Sequence, residues 1–257
     1  MRNIHPTAIV DPEAELGENV QVGPYSIIEA ETKIGDSVSI GAHCYIAAYT
    51  ELKPHVTVFH GAVLGTVPQD LKFKGEKTRL VINEHTTIRE YVMINRGTIQ
   101  HGETTIGKDC FIMAYAHVAH DCIIGNNVIM ANAVNLAGHV EIGDYAIIGG
   151  VVPVHQFVKI GAHSMIGGGF RVQQDVCPFS LAAGYPLKIV GLNQVGLRRR
   201  GFKPDTMHTL EKAFKILFFS GLNTSQAVER IKTEVPSIDE IKLILDFIKN
   251  SSRGLIK

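Results

Sequence analysis

One period organises most of this chain. From Ile4 onward every sixth residue is aliphatic: Ile4, Val10, Leu16, Val22, Ile28, Ile34, Ile40, Ile46, Leu52, Val58 and Leu64. A second series runs Ile106, Ile112, Val118, Ile124, Met130, Leu136, Ile142, Ile148, Val154, Ile160, Ile166 and Val172, with Ile82, Ile88 and Ile94 leading into it. Neither a helix (3.6) nor a strand (2) has this period. A hexapeptide repeat does. Each repeat predicts a short strand and a turn, and three repeats make an 18-residue triangular coil with the aliphatic residue inward. Gly and Asn are expected at the tight corners. Residues 18 apart then stack. The whole hexads predict nine coils, a stack of roughly 45 Å at ordinary strand spacing.

The period breaks twice. Continuing it past Leu64 would bury Asp70 and Glu76, and a buried unpaired carboxylate is too costly. Residues 65–81 are therefore expected to leave the coil as a loop. Gln100 falls on an inward position, so a second bulge is expected near 99–105. Such loops are either neutral insertions or places for function. After Val172 the period ends, and residues 187–257 read as helical. The sequence predicts an amphipathic stretch over Lys212 to Phe219, a stop at Gly221, and capping boxes at Asn223-x-x-Gln226 and Ser237-x-x-Glu240. The expected organisation is an all-β parallel β-helix over 1–186 and a small C-terminal helical domain over 187–257.

Composition narrows the function class. The 257 residues carry 25 basic and 25 acidic side chains, so no overall charge favours nucleic acid. No apolar run is long enough to cross a bilayer, and no secretory leader is evident. The four cysteines form no C-x-x-C pair and read as buried thiols in a reducing cytoplasm.

The chemistry concentrates among the 12 histidines. By the 18-residue rule, Gly138 stacks over His120 and His139 over Asp121, with His155 and Gln156 one coil further. One stripe thus joins an imidazole, a carboxylate and a glycine. A neutral imidazole accepts a proton near pH 7, so His120 is the candidate base and Asp121 its orienting group. Gly138 lets a substrate approach its N–H, an oxyanion donor. Zinc on His117, His120 and His139 is the rival reading, but the histidine spacing of hexapeptide carbonic anhydrases fails at His55 and His60. No metal and no cofactor are expected. Arg198–Arg200 is either a solvated helix face or a phosphate-binding group.

Together, His117-Val-Ala-His120-Asp121-Cys122, Leu136-Ala-Gly138-His139, Val154-His155-Gln156-Phe157, Pro68-Gln69-Asp70-Leu71-Lys72 and Arg199-Arg200-Gly201-Phe202 resemble the UDP-N-acetylglucosamine acyltransferase family, across essentially the whole chain. The resemblance implies a left-handed β-helix, a hand that the general crossover rule would not give. It implies a cytoplasmic homotrimer that moves a fatty acyl group, with or without a 3-hydroxyl, from acyl carrier protein to the sugar 3-hydroxyl, the first step of lipid A biosynthesis. It implies His120 as base, Asp121 as its support and the Gly138 N–H as oxyanion donor. Gln69, Asp70, His117, His139, His155, Gln156, Asn193, Arg199 and Arg200 become nucleotide-sugar or carrier contacts, and Gly168 a stop on acyl length. Two positions depart: Asn95, where members often carry His, and Val195, where they often carry Glu. Some members use a 3-amino sugar and form an amide. A later N-acyltransferase of the pathway would carry an N-terminal domain, for which hexads beginning at Ile4 leave no room. The remaining alternative is a non-catalytic β-helix scaffold.

Overall fold

The computed structural model describes residues 1–257. Twenty-five strands of two to four residues, from Asn3–Ile4 to Met165–Ile166, wind into a left-handed parallel β-helix with three faces. Faces one, two and three begin with Asn3–Ile4, Ile9–Val10 and Glu15–Leu16. Nine coil strands lie in the first face and eight in each of the others. The ninth coil is therefore irregular, closed only by the bridges Val154–Val172 and Ile160–Val176. The repeating aliphatic residues fill the prism from Val22 to Val172 with almost no exposure. The lowest coil has nothing beneath it, and Ile4 stays exposed while Val10 and Leu16 are half-buried. A second inward series, two residues earlier in each repeat, takes small side chains such as Ser26, Thr32, Cys44, Cys110 and Cys122. The four cysteines are buried and unpaired.

The corners differ from expectation. Twenty non-glycine residues have φ near +60°, among them five Tyr and five His. Left-handed backbone is costly for bulky residues, and stacking along each edge offsets the cost. Tyr91 stacks on Tyr115 with ring centroids 5.3 Å apart, Tyr145 on His163 at 4.9 Å and His139 on Phe157 at 4.6 Å. The glycines after the aliphatic residue answer a different need, which is space. A Cβ on Gly35 would lie 2.7 Å from the Pro54 nitrogen one coil above, and one on Gly41 2.8 Å from the His60 nitrogen.

Both breaks in the period eject chain at the same edge, between the second and third faces. Thr57 pairs with Thr87, thirty positions on instead of eighteen, and Thr87 with Phe111, twenty-four on. The first loop is narrower than 65–81: strands Val63–Thr66 and Arg79–Ile82 bracket it, because Thr66 still pairs with Asn95 and Leu80 with Thr50 and Thr104. The second occupies 96–102, earlier than 99–105, because Glu103–Ile106 is already strand. The C-terminal part opens with strand: Ser180–Ala183 and Lys188–Leu192 form a hairpin on the end of the first face, so 187 falls in its turn. Helices α1 (Gln194–Arg199), α2 (Pro204–Phe219), α3 (Thr224–Glu234) and α4 (Asp239–Lys249) follow. The Asn223–Gln226 capping box is present, but α4 has no side-chain cap at Ile238, so the Ser237–Glu240 box does not form. No helix is long and apolar enough to cross a membrane.

Candidate active site

The edge between the second and third faces carries the reactive residues. Backbone pairing puts His139 directly above Asp121, its N–H donating to the His120 carbonyl at 3.0 Å. Asp121 and His139 both occupy left-handed corner positions, φ 59° and 60°. This places the Asp121 carboxylate beneath the His120 ring. His120 Nδ1 donates to Asp121 Oδ2 at 2.8 Å, and His139 Nε2 lies 3.6 Å from the same oxygen. A carboxylate only accepts, so Nδ1 carries the hydrogen and Nε2 keeps its lone pair. The glycine at 138 serves the ring: a Cβ there would lie 2.6 Å from His120 Cε1 and 2.7 Å from Nε2. Its N–H has no acceptor within the protein.

Asp121 is almost completely buried and fully engaged. Oδ1 accepts the Thr98 N–H at 2.8 Å, Oδ2 also accepts the Thr98 hydroxyl at 2.6 Å, and the Asp121 N–H donates to Thr104 Oγ1 at 2.8 Å. Burial pushes the carboxyl pKa up, but the His120 and Thr98 bonds outweigh it and hold the group down to about 2. Burial lowers His117 and His139, Asp121 partly opposing the fall at His139. The donor atoms of His120, Asp121 and His139 lie within 4.8 Å of one another, close enough for a metal. A metal would have to displace hydrogen bonds that already occupy both Asp121 oxygens, so the set is built to hold a proton on His120 Nδ1.

A cleft of about 740 Å³, within the size range of small-molecule sites, opens on the second face beside this edge. Its walls include His117, His120, Gly138 and Gln156, and the first ejected loop covers one end with Gln69 and Asp70. Other expected residues lie elsewhere. His155 is exposed outside the cleft, its Nδ1 3.1 Å from the Gln156 carbonyl oxygen. Asn193 is the buried cap of α1, accepting from the Gly196 N–H and donating to the His163 carbonyl. Arg200 packs over Tyr145 and donates to its carbonyl at 2.8 Å, on the edge between the third and first faces. Arg199 is exposed beside it on α1, and Gly168 lies on the remaining edge beside Gly150. Within one chain, His120 and Gly168 therefore lie on different edges. The reason is register: residues 48 apart in an 18-residue coil fall on different corners. Asn95 is buried outside the cleft and donates to Thr66 Oγ1 and the Val67 carbonyl, anchoring the first loop. Val195 is exposed on α1.

Thr98, Thr104 and Asn135 complete the site and were not anticipated from sequence, and Lys72, part of the loop motif but given no role there, also lines the cleft. Asn135 had a signal, since it lies 18 residues beyond His117. Thr98 had none, because the six residues added at the second loop break the stacking count below Asp121.

Known proteins match this chain over its whole length. A family model described as Udp N-acetylglucosamine O-acyltransferase, Domain 2, covers residues 175–256, and the bacterial transferase hexapeptide model covers 13–48 and 103–138. Proteins named acyl-[acyl-carrier-protein]--UDP-N-acetylglucosamine O-acyltransferase are similar over the whole of both chains, at 48% identity in Thermodesulfovibrio yellowstonii and 50% in Paraburkholderia xenovorans. Among solved structures, LpxA from Acinetobacter baumannii superimposes with a TM-score of 0.96 at 42% identity, and UDP-N-acetylglucosamine acyltransferase from Campylobacter jejuni with 0.92 at 41%, each over 99% of both chains. Agreement of sequence and backbone over whole chains, and not over the repeats alone, makes this protein a member of the UDP-N-acetylglucosamine O-acyltransferase family.

Proposed function

We propose that this acyltransferase moves a fatty acyl chain from the thioester of acyl carrier protein to the 3-hydroxyl of UDP-N-acetylglucosamine, opening lipid A biosynthesis. The observation that carries the chemistry is the His120 ring, fixed by Asp121 on one side and facing the cleft on the other. His120 Nε2 takes the hydroxyl proton as the sugar oxygen attacks the thioester carbonyl carbon. The Gly138 N–H receives the oxyanion. Collapse of the tetrahedral intermediate breaks the C–S bond, and His120 returns the proton to the departing carrier thiolate. The imidazolium formed between these steps is stabilised by Asp121. Written this way, the reaction balances without a cofactor. In this reading Gln69, Asp70, His117 and Gln156, which line the cleft, hold the nucleotide sugar.

Asn193, Arg199, Arg200 and Gly168 join such a site only if a neighbouring copy supplies them, and a homotrimer is the arrangement we infer. The faces support it. Ile9, Ile27, Tyr45, Val63 and Met93 form an apolar outer row on the second face, and a parallel sheet of this kind needs cover. The third face instead carries the ladder Glu15–Lys33–Glu51 and the pair Glu141–Lys159, suited to water. Four buried, unpaired cysteines fit a reducing compartment, and we place the protein in the cytoplasm.

Mass spectrometry of products from UDP-N-acetylglucosamine and a panel of acyl carrier protein thioesters tests the reading. The wild type should yield a single 3-O-acyl product. His120→Ala should lower turnover by about 10²–10⁴-fold with the fold intact. A His120→Ala enzyme within tenfold of the wild type would remove the base assignment.

A further inference from the structure

The second ejected loop is closed and rigid, yet it lines no part of the cleft. Gly97 donates to the Arg79 carbonyl at 3.1 Å, Thr78 Oγ1 donates to the Gly97 carbonyl at 2.6 Å, and Gly102 donates to the Thr98 carbonyl at 2.7 Å. These bonds fix one side chain, Thr98, which is 7% exposed. Its hydroxyl and its backbone N–H grip the two oxygens of Asp121 separately. We propose that Thr98 is a positioning residue of the acyl transfer: the 96–102 loop exists to deliver it, and its two hydrogen bonds hold Asp121 in the rotamer that aligns the His120 base. A carboxylate held at both oxygens cannot swing towards His139, whose Nε2 lies 3.6 Å from Oδ2 and would compete for it. Without the hydroxyl, Asp121 keeps only the Thr98 N–H and the very His120 ring it orients, so Oδ2 has no fixed anchor and the ring loses its set orientation. Misplacement of a reacting group by about 1 Å costs on the order of a hundredfold in rate.

The inference rests on the proposed acyl transfer, so its test has one arm that needs no substrate. Thr98→Val keeps the shape and the backbone bond and removes the hydroxyl. We expect kcat to fall about ten- to a hundredfold while KM for UDP-N-acetylglucosamine changes by less than about threefold. Thr98→Ser should restore kcat to within about threefold of wild type, and Thr98→Val should add little to Asp121→Asn, because the two act through one unit. Should the valine variant not fold, Thr98→Ala against Thr98→Ser gives the same comparison. In the substrate-free arm, loss of the hydroxyl lets the Asp121 carboxyl rise from about 2. The acid limb of thermal stability should then move to higher pH in Thr98→Val, and not when Asp121→Asn is also present. A wild type that transfers no acyl group overturns the functional reading and leaves the hydrogen-bond arm to judge Thr98. A valine variant with wild-type kcat, or one whose loss multiplies in full with Asp121→Asn, overturns the positioning role.

Discussion

Gly138 and His120 illustrate how tightly single residues are tied together here. The glycine does not leave open space for a substrate; the His120 imidazole fills that space, within 2.7 Å of where a Cβ would sit. Its left-handed freedom is not in use either, since only its neighbour His139 has positive φ. Gly138→Ala must therefore push the base away from its position. The surrounding coil is regular strand and has no reason to unfold. We expect kcat to drop at least about tenfold with melting temperature within a few degrees of wild type, measured by steady-state kinetics and calorimetry on one preparation. Equal kcat would mean that the ring tolerates displacement and that its observed position is not the working one. Sequence made this pair visible because stacking is arithmetic within an unbroken run: 120 and 138, and 121 and 139, lie in one stretch without insertion. It could not show that Gly138 makes room for the ring, since which neighbour fills a missing side chain depends on three-dimensional packing.

Among elements, the two loops and the C-terminal segment show the limits of that arithmetic. Asp70, Glu76 and Gln100 announced chain leaving the coil, because a polar residue at an inward position has no partner there. They did not announce the boundaries, which are set by ladder bonds such as Arg79 N–H to the Gly102 carbonyl. Nor did they reveal that both loops share the edge of His120. The C-terminus is a similar case. Asp175, completely buried, receives the Lys159 N–H at 2.8 Å and the Ser251 hydroxyl at 2.6 Å, and its backbone bonds Gly254 and Ile256. It joins the last coil to the end of the chain across 76 residues. No periodicity could expose a contact of that span. Asp175→Ala would leave the half-buried Lys159 N–H and Ser251 hydroxyl without their acceptors, at a cost of about 1–3 kcal/mol. The expected signature is local: faster amide hydrogen exchange at Lys159 and Ile256, with protection unchanged at Ile112 and Val118 in the middle of the prism. Unchanged exchange at Ile256 would show that the helices, and not Asp175, hold the terminus.

At the scale of the molecule, the prism has three edges, and the residues implicated in one reaction are divided among them. His120, Asp121 and Gly138 lie on the edge between the second and third faces; Arg200 lies on the edge between the third and first, against Tyr145; Gly168 lies on the last. A rigid, continuously hydrogen-bonded stack cannot bend these together. If they form one site, it is shared between copies, and in a closed ring of three each contact would bring the His120 edge of one copy against the Arg200 and Gly168 edges of the next. Shared sites can be tested by mixing. His120→Ala lacks the base but retains the arginines, while the Arg199→Ala/Arg200→Ala double variant lacks the arginines but retains the base. Each alone should be nearly inactive. In trimers assembled from equal amounts of both, a site combines an intact base with intact arginines about one time in four. Co-expressed and co-purified mixtures should therefore recover up to about a quarter of wild-type kcat per site, whereas the two variants purified separately and mixed cold, without exchange of subunits, should recover none. Mixed trimers, verified by mass spectrometry, that remain as inactive as their parents would show that His120 and the arginines do not serve one site across an interface.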